Sequence, residues 1–443
     1  MHAQRTGAGL ARREVLRGSA IGAVLAGGRG TARAAPRQLR ILQWKHFVPS
    51  YDHWFDTVFA REWGIRNDVE VVVDHVGLGD LDVLIRAEAA AGRGHDIVFT
   101  LSPPALLEDH AIDHGAIYAE VERRHGPMSE LARRTTFNPR TGRHVGFCWA
   151  FSPAVLTYRR SLWDSVAVEP TSWPAILAGG RRIRLLHDRT VGLGLAPEHN
   201  GEHSLRAIMY AFGAGEQDAD GNPALRSKAM LEVLHFVEAL FAQAMTAEVL
   251  GWDAASNNRS MLSGEISLTL DTLSIVRSAE TTRLPLVTDL HLAPMPEGPL
   301  GRIGPPFGFY TYLVWKFAEH RELAERFLVD HAGALRDGLL ASGFQNMPNL
   351  PSAVPDLAAV LAADPGSVGA GKYAALAGSP DWSVNFGYPG YSNVAIGEVY
   401  ARGVLPRLVA RVVTGRASAE AALDDADAEV RAIFARFREE GRI

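Results

Sequence analysis

The 443-residue chain contains one cysteine, Cys148. A single cysteine can form neither an internal disulfide nor a Cys-x-x-Cys metal site. The residues around it, 145–149, are mostly apolar, and free cysteine is among the most buried residue types. We therefore predict a buried, structural thiol. A chain of this length can bury a sizeable core, so its stability requires no disulfide or metal.

The chain also lacks a strong excess of charge. It has 45 Lys and Arg residues against 50 Asp and Glu residues, which gives a net charge of −5. Binding to nucleic acid needs concentrated positive charge to neutralise phosphates, and no lysine-rich stretch is present. The composition therefore excludes nucleic acid as the main partner.

Signatures of several common chemistries are missing. Gly77-Leu78-Gly79 and Gly192-Leu193-Gly194 lack the third glycine of a dinucleotide-binding loop, and no phosphate-binding loop, HExxH or GxSxG motif occurs. We predict no catalytic activity, no cofactor and no metal. A pair of carboxylates for glycoside hydrolysis stays open, because the spacing of such a pair is three-dimensional.

Residues 1–35 have the pattern of a cleaved export signal. Arg12-Arg13 precedes a weakly hydrophobic stretch at 19–28, and Ala32-Arg33-Ala34 offers small residues to a peptidase. The stretch has about ten residues, whereas a membrane-spanning helix needs roughly 20. The arginine pair is typical of a twin-arginine signal. We predict a soluble periplasmic protein without a lipid anchor, since no cysteine follows the apolar stretch.

Strand and helix patterns alternate after the signal. Strands are predicted at 39–44, 69–73 and 96–100, with helices at 51–63 and 81–91 between them. This order is typical of α/β layers around a largely parallel sheet.

Several blocks of sequence, in this order, resemble family 1 extracellular solute-binding proteins, the receptors of bacterial ABC importers for sugars and related solutes. The blocks are 90–98, 142–151, 158–159, 170–174, 292–296, 308–332 and 415–423. Two details depart from the family pattern. Arg159 stands where Asn is usual, and Ser172 intervenes before Trp173.

The resemblance implies the two-lobe periplasmic binding protein fold of class II type, with discontinuous α/β lobes joined by a hinge. The expected lobes are 36–147 plus 293–342, and 148–292 plus 343–443 with a helical tail. It also implies a monomer that captures a small polar solute between the lobes and delivers it to ABC permease subunits in the inner membrane.

A sugar or polyol is the solute that the loop residues favour. Sugars present apolar C–H faces that suit aromatic rings, and hydroxyl groups that need short polar partners. We expect such residues at strand ends and in loops. The candidates are Trp44, His46, Ser102, Trp149, His199, Asn200, Trp252, Asp271, Tyr310, Trp382, Asn385 and Tyr388.

Alternatives remain at this point. The chain could be a secreted enzyme exported by the twin-arginine route, such as a glycosidase or a cofactor protein. It could also be a binding protein that feeds a membrane sensor. Asp271 could cap the following helix instead of contacting ligand. Aromatic residues fit quaternary amines as well as sugars, through cation–π contacts.

Overall fold

The structure is a computed structural model that describes residues 37–364, 366–369 and 371–443. The predicted export signal lies outside these residues. The described strands are β1 Arg37–Trp44, β2 Val69–Val76, β3 Ile97–Thr100, β4 Phe137–Asn138, β5 Arg143–His144, β6 Phe147–Ser152, β7 Val155–Arg159, β8 Thr190–Val191, β9 Ile266–Asp271, β10 Leu290–Pro294, β11 Gly308–Val314 and β12 Met347–Pro348.

The α-helices occupy most of the chain between and after the strands. They are α1 Pro49–Trp54, α2 Arg61–Asn67, α3 Leu78–Ala91, α4 Gly115–His125, α5 Glu130–Thr136, α6 Arg160–Ser165, α7 Trp173–His187, α8 His199–Ala211, α9 Lys228–Ala244, α10 Ser256–Leu262, α11 Ser274–Thr281, α12 Arg321–Ala332, α13 Leu335–Ala341, α14 Leu357–Ala362, α15 Ser379–Trp382, α16 Val394–Ala401, α17 Val404–Val413 and α18 Ala419–Glu439.

Two main sheets organise the fold. The first has the order β12-β6-β11-β3-β1-β2, and the second has the order β10-β7-β9-β8. In the first sheet β1 runs parallel to β2 and β3, whereas β11 runs antiparallel to β3 and β6. The sheet is therefore mixed, and the prediction of a largely parallel sheet holds only for its first three strands. β4 and β5 form a separate small ladder.

The central strands are covered on both faces. Every residue of β3, β6, β9 and β11 is buried, as is usual where helices pack against both sides of a sheet. Cys148 lies in β6 and is fully buried. Burial raises the pKa of its thiol to about 12, so the thiol is unreactive and structural, as predicted.

The chain passes between the two sheets twice. It leaves the first sheet after β6 and returns to it between β10 and β11. The last strand, β12, belongs to the first sheet, and only helices follow it. Two of the expected lobe boundaries, at 147/148 and 292/293, fall inside β6 and β10. A strand hydrogen-bonds as a unit within one sheet, so these crossings lie at 153–154 and after Pro294.

Local sequence accounts for several helix starts. Ser172 caps α7 by accepting a hydrogen bond from Ala175 N at 3.3 Å, and Pro174 follows within the first turn, as this position favours. Of the candidates expected at strand ends and in loops, Trp252 lies in the loop that becomes helical at Ser256. Trp382 instead ends the short helix α15.

Candidate functional site

Strand ends of both sheets meet around a small buried cavity, here called the deep cavity. From the side of the first sheet, Trp44 ends β1, Ser152 ends β6, and Tyr310 lies in β11. From the side of the second sheet, Asp271 ends β9. The full lining is Trp44, Phe47, Leu78, Leu101, Ser152, His199, Asn200, Ala254, Asp271, Thr272, Phe307, Tyr310 and Gln345.

Asp271 contributes a buried carboxylate to this cavity. Its Oδ1 accepts a hydrogen bond from Thr272 N at 2.7 Å, and its Oδ2 accepts one from Asn258 Nδ2 at 2.8 Å. Burial raises the pKa of Asp271 to about 7, although these hydrogen bonds act in the opposite direction. The N-cap of α11 is Leu273. Asp271 therefore does not cap that helix, and its carboxylate faces the cavity.

The start of α8 places two further polar side chains on the wall. His199 Nε2 donates to the carbonyl oxygen of Phe307 at 2.6 Å, and burial lowers the pKa of His199. The ring is therefore neutral near pH 7, and its Nδ1 is an acceptor. Asn200 Nδ2 donates to Ala254 O at 3.2 Å and to Asn257 Oδ1 at 3.1 Å, which leaves the Asn200 side-chain oxygen as an acceptor.

Two side chains of the first sheet keep unused hydrogen-bonding capacity at the cavity. Gln345 Nε2 donates to the Tyr310 hydroxyl at 3.3 Å, but Gln345 Oε1 has no partner among the described residues. The Ser152 hydroxyl also has no partner there. Both side chains are 1% exposed. A buried polar atom without a partner costs about 1–3 kcal/mol, so a ligand that pairs with these atoms gains from them.

A larger space, here called the outer chamber, adjoins the deep cavity. Its volume is about 870 Å³, against about 20 Å³ for the deep cavity. The two spaces share Leu78, Leu101, His199 and Ala254 as walls. One side of the chamber is formed by α3 and the loop after β3, and the other by the start of α8 and by α16.

Carboxylates predominate among the charged groups of the outer chamber. Asp82, Glu198, Glu202 and Asp253 line it, together with two guanidinium groups, Arg86 and Arg402. Glu198 caps α8 by accepting from Asn200 N at 2.8 Å and Gly201 N at 2.7 Å. Burial nevertheless raises the pKa of Glu198 to about 7.

Six of the twelve predicted site residues line these two spaces. Five of them meet at the deep cavity, and Ser102 lines the outer chamber, where its hydroxyl donates to Asp82 Oδ2 at 2.8 Å. The five are Trp44, His199, Asn200, Asp271 and Tyr310.

Four predicted residues are located elsewhere. His46 lies behind Trp44, where its Nε2 donates to Asn346 Oδ1 at 2.9 Å and burial lowers its pKa to about 4. Trp149 packs in the core, with its ring centroid 4.7 Å from that of His331. Trp252 packs on Gly192, and Trp382 on Gly378. These side chains fill space between elements, so we leave them out of the proposed site.

The last two predicted residues, Asn385 and Tyr388, line a third space, here called the proline-lined cavity. It has a volume of about 580 Å³ and its wall includes Pro348, Pro351 and Pro380. Asn385 Nδ2 donates to the carbonyl oxygens of its own turn, Phe386 O at 2.8 Å and Gly390 O at 2.9 Å. Its side chain therefore holds the loop together.

Four further residues that line the deep cavity were not predicted from the sequence: Ser152, Thr272, Phe307 and Gln345. Ser152 and Thr272 directly follow or end strongly apolar strands, which is the signal that identified Asp271. Gln345 is followed by Asn346 and lies just before β12. The sequence signal that could have identified Gln345 is a pair of consecutive amide side chains beside apolar residues.

The described residues 37–364, 366–369 and 371–443 contain no helix that combines the length and hydropathy of a membrane span. In the same part of the chain, no group of three or more His, Cys, Asp or Glu side chains is arranged to hold a metal ion.

Comparison with known proteins gives a family match and a set of similar structures. Residues 54–329 match the family model for bacterial extracellular solute-binding proteins. No curated protein is similar enough in sequence to count as a relative.

Three of the similar structures illustrate the likeness. Maltose-bound MalE3 of T. maritima is 17% identical, with a TM-score of 0.73 over 89% of this chain and 99% of that one. A sugar transporter from Arthrobacter chlorophenolicus A6 with bound laminaribiose is 16% identical, with a TM-score of 0.73 over 89% and 99%. An ABC transporter solute-binding protein from Agrobacterium radiobacter K84 in complex with ribitol is 15% identical, with a TM-score of 0.67 over 90% and 98%.

Proposed function

The chain belongs to the bacterial extracellular solute-binding proteins, and from that premise we propose that it is the receptor of an ABC importer for a sugar or polyol. The solute binds where the strand ends of the two sheets face each other, in the deep cavity and the outer chamber. This family and fold consist of binding proteins, and the proposed receptor catalyses no reaction on its solute.

One observation carries the proposal. The deep cavity combines four aromatic rings with short polar side chains, all at or near strand ends and helix starts. The rings belong to Trp44, Phe47, Phe307 and Tyr310. Aromatic faces suit the C–H surfaces of a sugar, and polar groups such as Asp271 and Asn200 suit its hydroxyls. The similar proteins that bind maltose, laminaribiose and ribitol support the same class of solute.

The size of the cavity implies that the two sheets move apart during binding. A volume of about 20 Å³ accommodates roughly one water molecule, so a whole sugar ring does not reach the deep cavity in this conformation. We propose that the two lobes open about the hinge. The lobes are those expected from the sequence, 36–147 plus 293–342 and 148–292 plus 343–443, with the crossings moved to the nearest strand ends. Contacts made only in the closed form then favour closure.

The remaining predictions complete the proposed role. Residues 1–35 direct export by the twin-arginine route and are then removed, and the mature monomer works in the periplasm with ABC permease subunits as its partners. Delivery to a membrane sensor is the alternative.

Calorimetric titration of the mature protein with a panel of sugars and polyols tests the proposal. We expect one compound to bind with 1:1 stoichiometry and to be recovered unchanged after incubation. Failure of every compound to bind would contradict the receptor function, and chemical turnover of a bound compound would point to the exported-enzyme alternative.

A further inference from the structure

Several hydrogen-bond acceptors face the deep cavity. The protein already uses the N–H groups of Asn200 and His199 and one of the two N–H groups of Gln345. The donors that remain on the wall include the hydroxyls of Ser152, Thr272 and Tyr310. Four side chains of the wall offer acceptors: the Asp271 carboxylate, Gln345 Oε1, His199 Nδ1 and Asn200 Oδ1. A group that brings several donors can therefore pair with these acceptors.

The carboxyl group of the deep cavity has no cationic partner among the described residues. No Lys or Arg is among the residues that line it, and Asp271 is its only acidic side chain. Asp271 is 5% exposed, and burying an ionised carboxylate without a cation is unfavourable. The raised pKa of Asp271 reflects the same cost.

The aromatic rings are compatible with a cation. The Trp44 and Tyr310 ring centroids are 6.0 Å apart with planes tilted by 56°, and both rings border the cavity. The face of a tryptophan or tyrosine ring attracts an ammonium group within about 6 Å.

The volume of the deep cavity limits the size of the group. About 20 Å³ accommodates one group the size of water, and a primary ammonium group is of that size. It offers three donors and no acceptor, which suits the acceptors of Asp271, Gln345, His199 and Asn200. The outer chamber, at about 870 Å³, has room for the rest of a mono- or disaccharide.

We propose that the solute carries a primary ammonium group, as an amino sugar or an amino polyol does, and that this group binds in the deep cavity against Asp271. The inference rests on the proposed function, because it assigns the substrate class of the same site. The ammonium group donates to Asp271 and Gln345 Oε1 and contacts the ring of Trp44, while the hydroxyl groups of the solute remain in the outer chamber.

The test uses pairs of compounds that differ only in the amino group. Calorimetry compares 2-amino-2-deoxyglucose with glucose, 2-amino-2-deoxygalactose with galactose, and 1-amino-1-deoxyglucitol with glucitol, each with the full mature protein. In at least one pair we expect the amino compound to bind about tenfold or more tightly, because hydrogen bonds to charged groups are stronger than neutral ones.

Variants identify the group responsible. Asp271→Asn keeps the shape of the side chain and removes its charge. We therefore expect the affinity for the amino compound to fall about tenfold or more, and the affinity for the neutral compound to fall about threefold or less. Gln345→Met removes one acceptor and should lower the affinity for the amino compound more than the affinity for the neutral compound. Asp356→Asn is the matched control, because Asp356 pairs with Arg336 on the surface at 2.6 Å, away from both spaces. Circular dichroism checks that each variant is folded.

The outcomes separate the inference from the proposed function. Equal or tighter binding of the neutral compounds, with Asp271→Asn affecting both members of a pair alike, overturns the inference and leaves the sugar receptor in place. Binding by neither member of any pair overturns both. If Asp271→Asn does not fold, two other results test the inference. The wild-type protein should prefer the amino compound, and Gln345→Met should lose that preference.

Discussion

Two segments of this protein look alike in sequence and differ in what their side chains do. Around Trp44, and again from Trp382 to Tyr388, a tryptophan is followed by short polar and further aromatic residues. Trp44 lines the deep cavity. In the second segment Trp382 packs on Gly378 and Asn385 holds its own turn.

The difference follows from where each segment joins the sheets. Trp44 ends a strand of the first sheet, and strand ends in open α/β sheets are where ligands usually bind. The segment 382–388 begins at the last residue of a four-residue helix, and Ser383, Asn385 and Tyr388 line the proline-lined cavity. Position at a strand end is therefore a better indicator of a ligand contact than the local mixture of residue types.

Replacing Trp44 by alanine is expected to have the largest effect. It removes a ring from the wall of the deep cavity and a 2% exposed side chain from the core, so we expect a loss of about 3 kcal/mol or more in stability. We also expect at least a roughly tenfold loss of solute affinity in the folded fraction. Chemical denaturation and calorimetry measure the two effects.

Trp382→Ala provides the matched comparison. It should lower stability, because Trp382 is 7% exposed and packed, but it should leave affinity within about threefold of wild type. If Trp382→Ala lost much affinity and Trp44→Ala did not, the ligand contact would lie in the segment 382–388 and not at Trp44.

Asn385→Ala is expected to have the next largest effect. It removes two buried hydrogen bonds to Phe386 O and Gly390 O, which costs about 1–3 kcal/mol of stability because the carbonyls lose their donor. Its affinity for solute should remain that of wild type. Asn200→Ala, at the deep cavity, also removes two hydrogen bonds and should lower stability similarly, but it should weaken solute affinity as well. Thermal melts and titrations of both variants therefore sharpen the contrast.

The free energy of unfolding should depend on pH, because the fold buries carboxyl groups whose pKa values are raised. The pKa of Asp271 is about 7 in the folded protein, against roughly 4 in an unfolded chain. The folded state therefore binds more protons in this window, and the free energy of unfolding falls as pH rises from about 4 to 7. Glu198 contributes with the same sign.

Thermal melts of the solute-free protein between pH 4.5 and 8 measure this slope. In Asp271→Asn we expect the free energy of unfolding to change less across the window, by about 1 kcal/mol or more, because one of the buried carboxyl groups with a raised pKa is removed. An unchanged slope would mean that Asp271 is not buried as described.

Ser102→Ala should have the smallest effect. Ser102 lines the outer chamber and is only half-buried, and its hydroxyl donates to one carboxylate, Asp82. We expect affinity to fall by about threefold or less, with stability unchanged within roughly 0.5 kcal/mol. A loss as large as that of Trp44→Ala would move the principal contacts from the deep cavity to the outer chamber.

Much of the fold could be predicted because its signals are local. β2, β3 and β11 contain apolar runs, and Ser172 followed by Pro174 is a clear helix start. The mixed direction of the first sheet could not be predicted, because β11 pairs with β3 across 200 residues of chain.

The site was only partly predictable for a related reason. Asp271 could be found because it ends an apolar strand. Trp149 has polar and aromatic neighbours in sequence, yet β6 is buried on both faces and places its ring in the core. Gln345 became a candidate only when its Oε1 was found without a partner, which depends on three-dimensional neighbours.

A crystal structure of the protein with its bound solute tests the central claim most directly. We predict that the solute lies between the two sheets, within hydrogen-bonding distance of Asp271 and Gln345 and in contact with the ring of Trp44. A solute found in the proline-lined cavity beside Asn385 and Tyr388, with the deep cavity still closed, would contradict it.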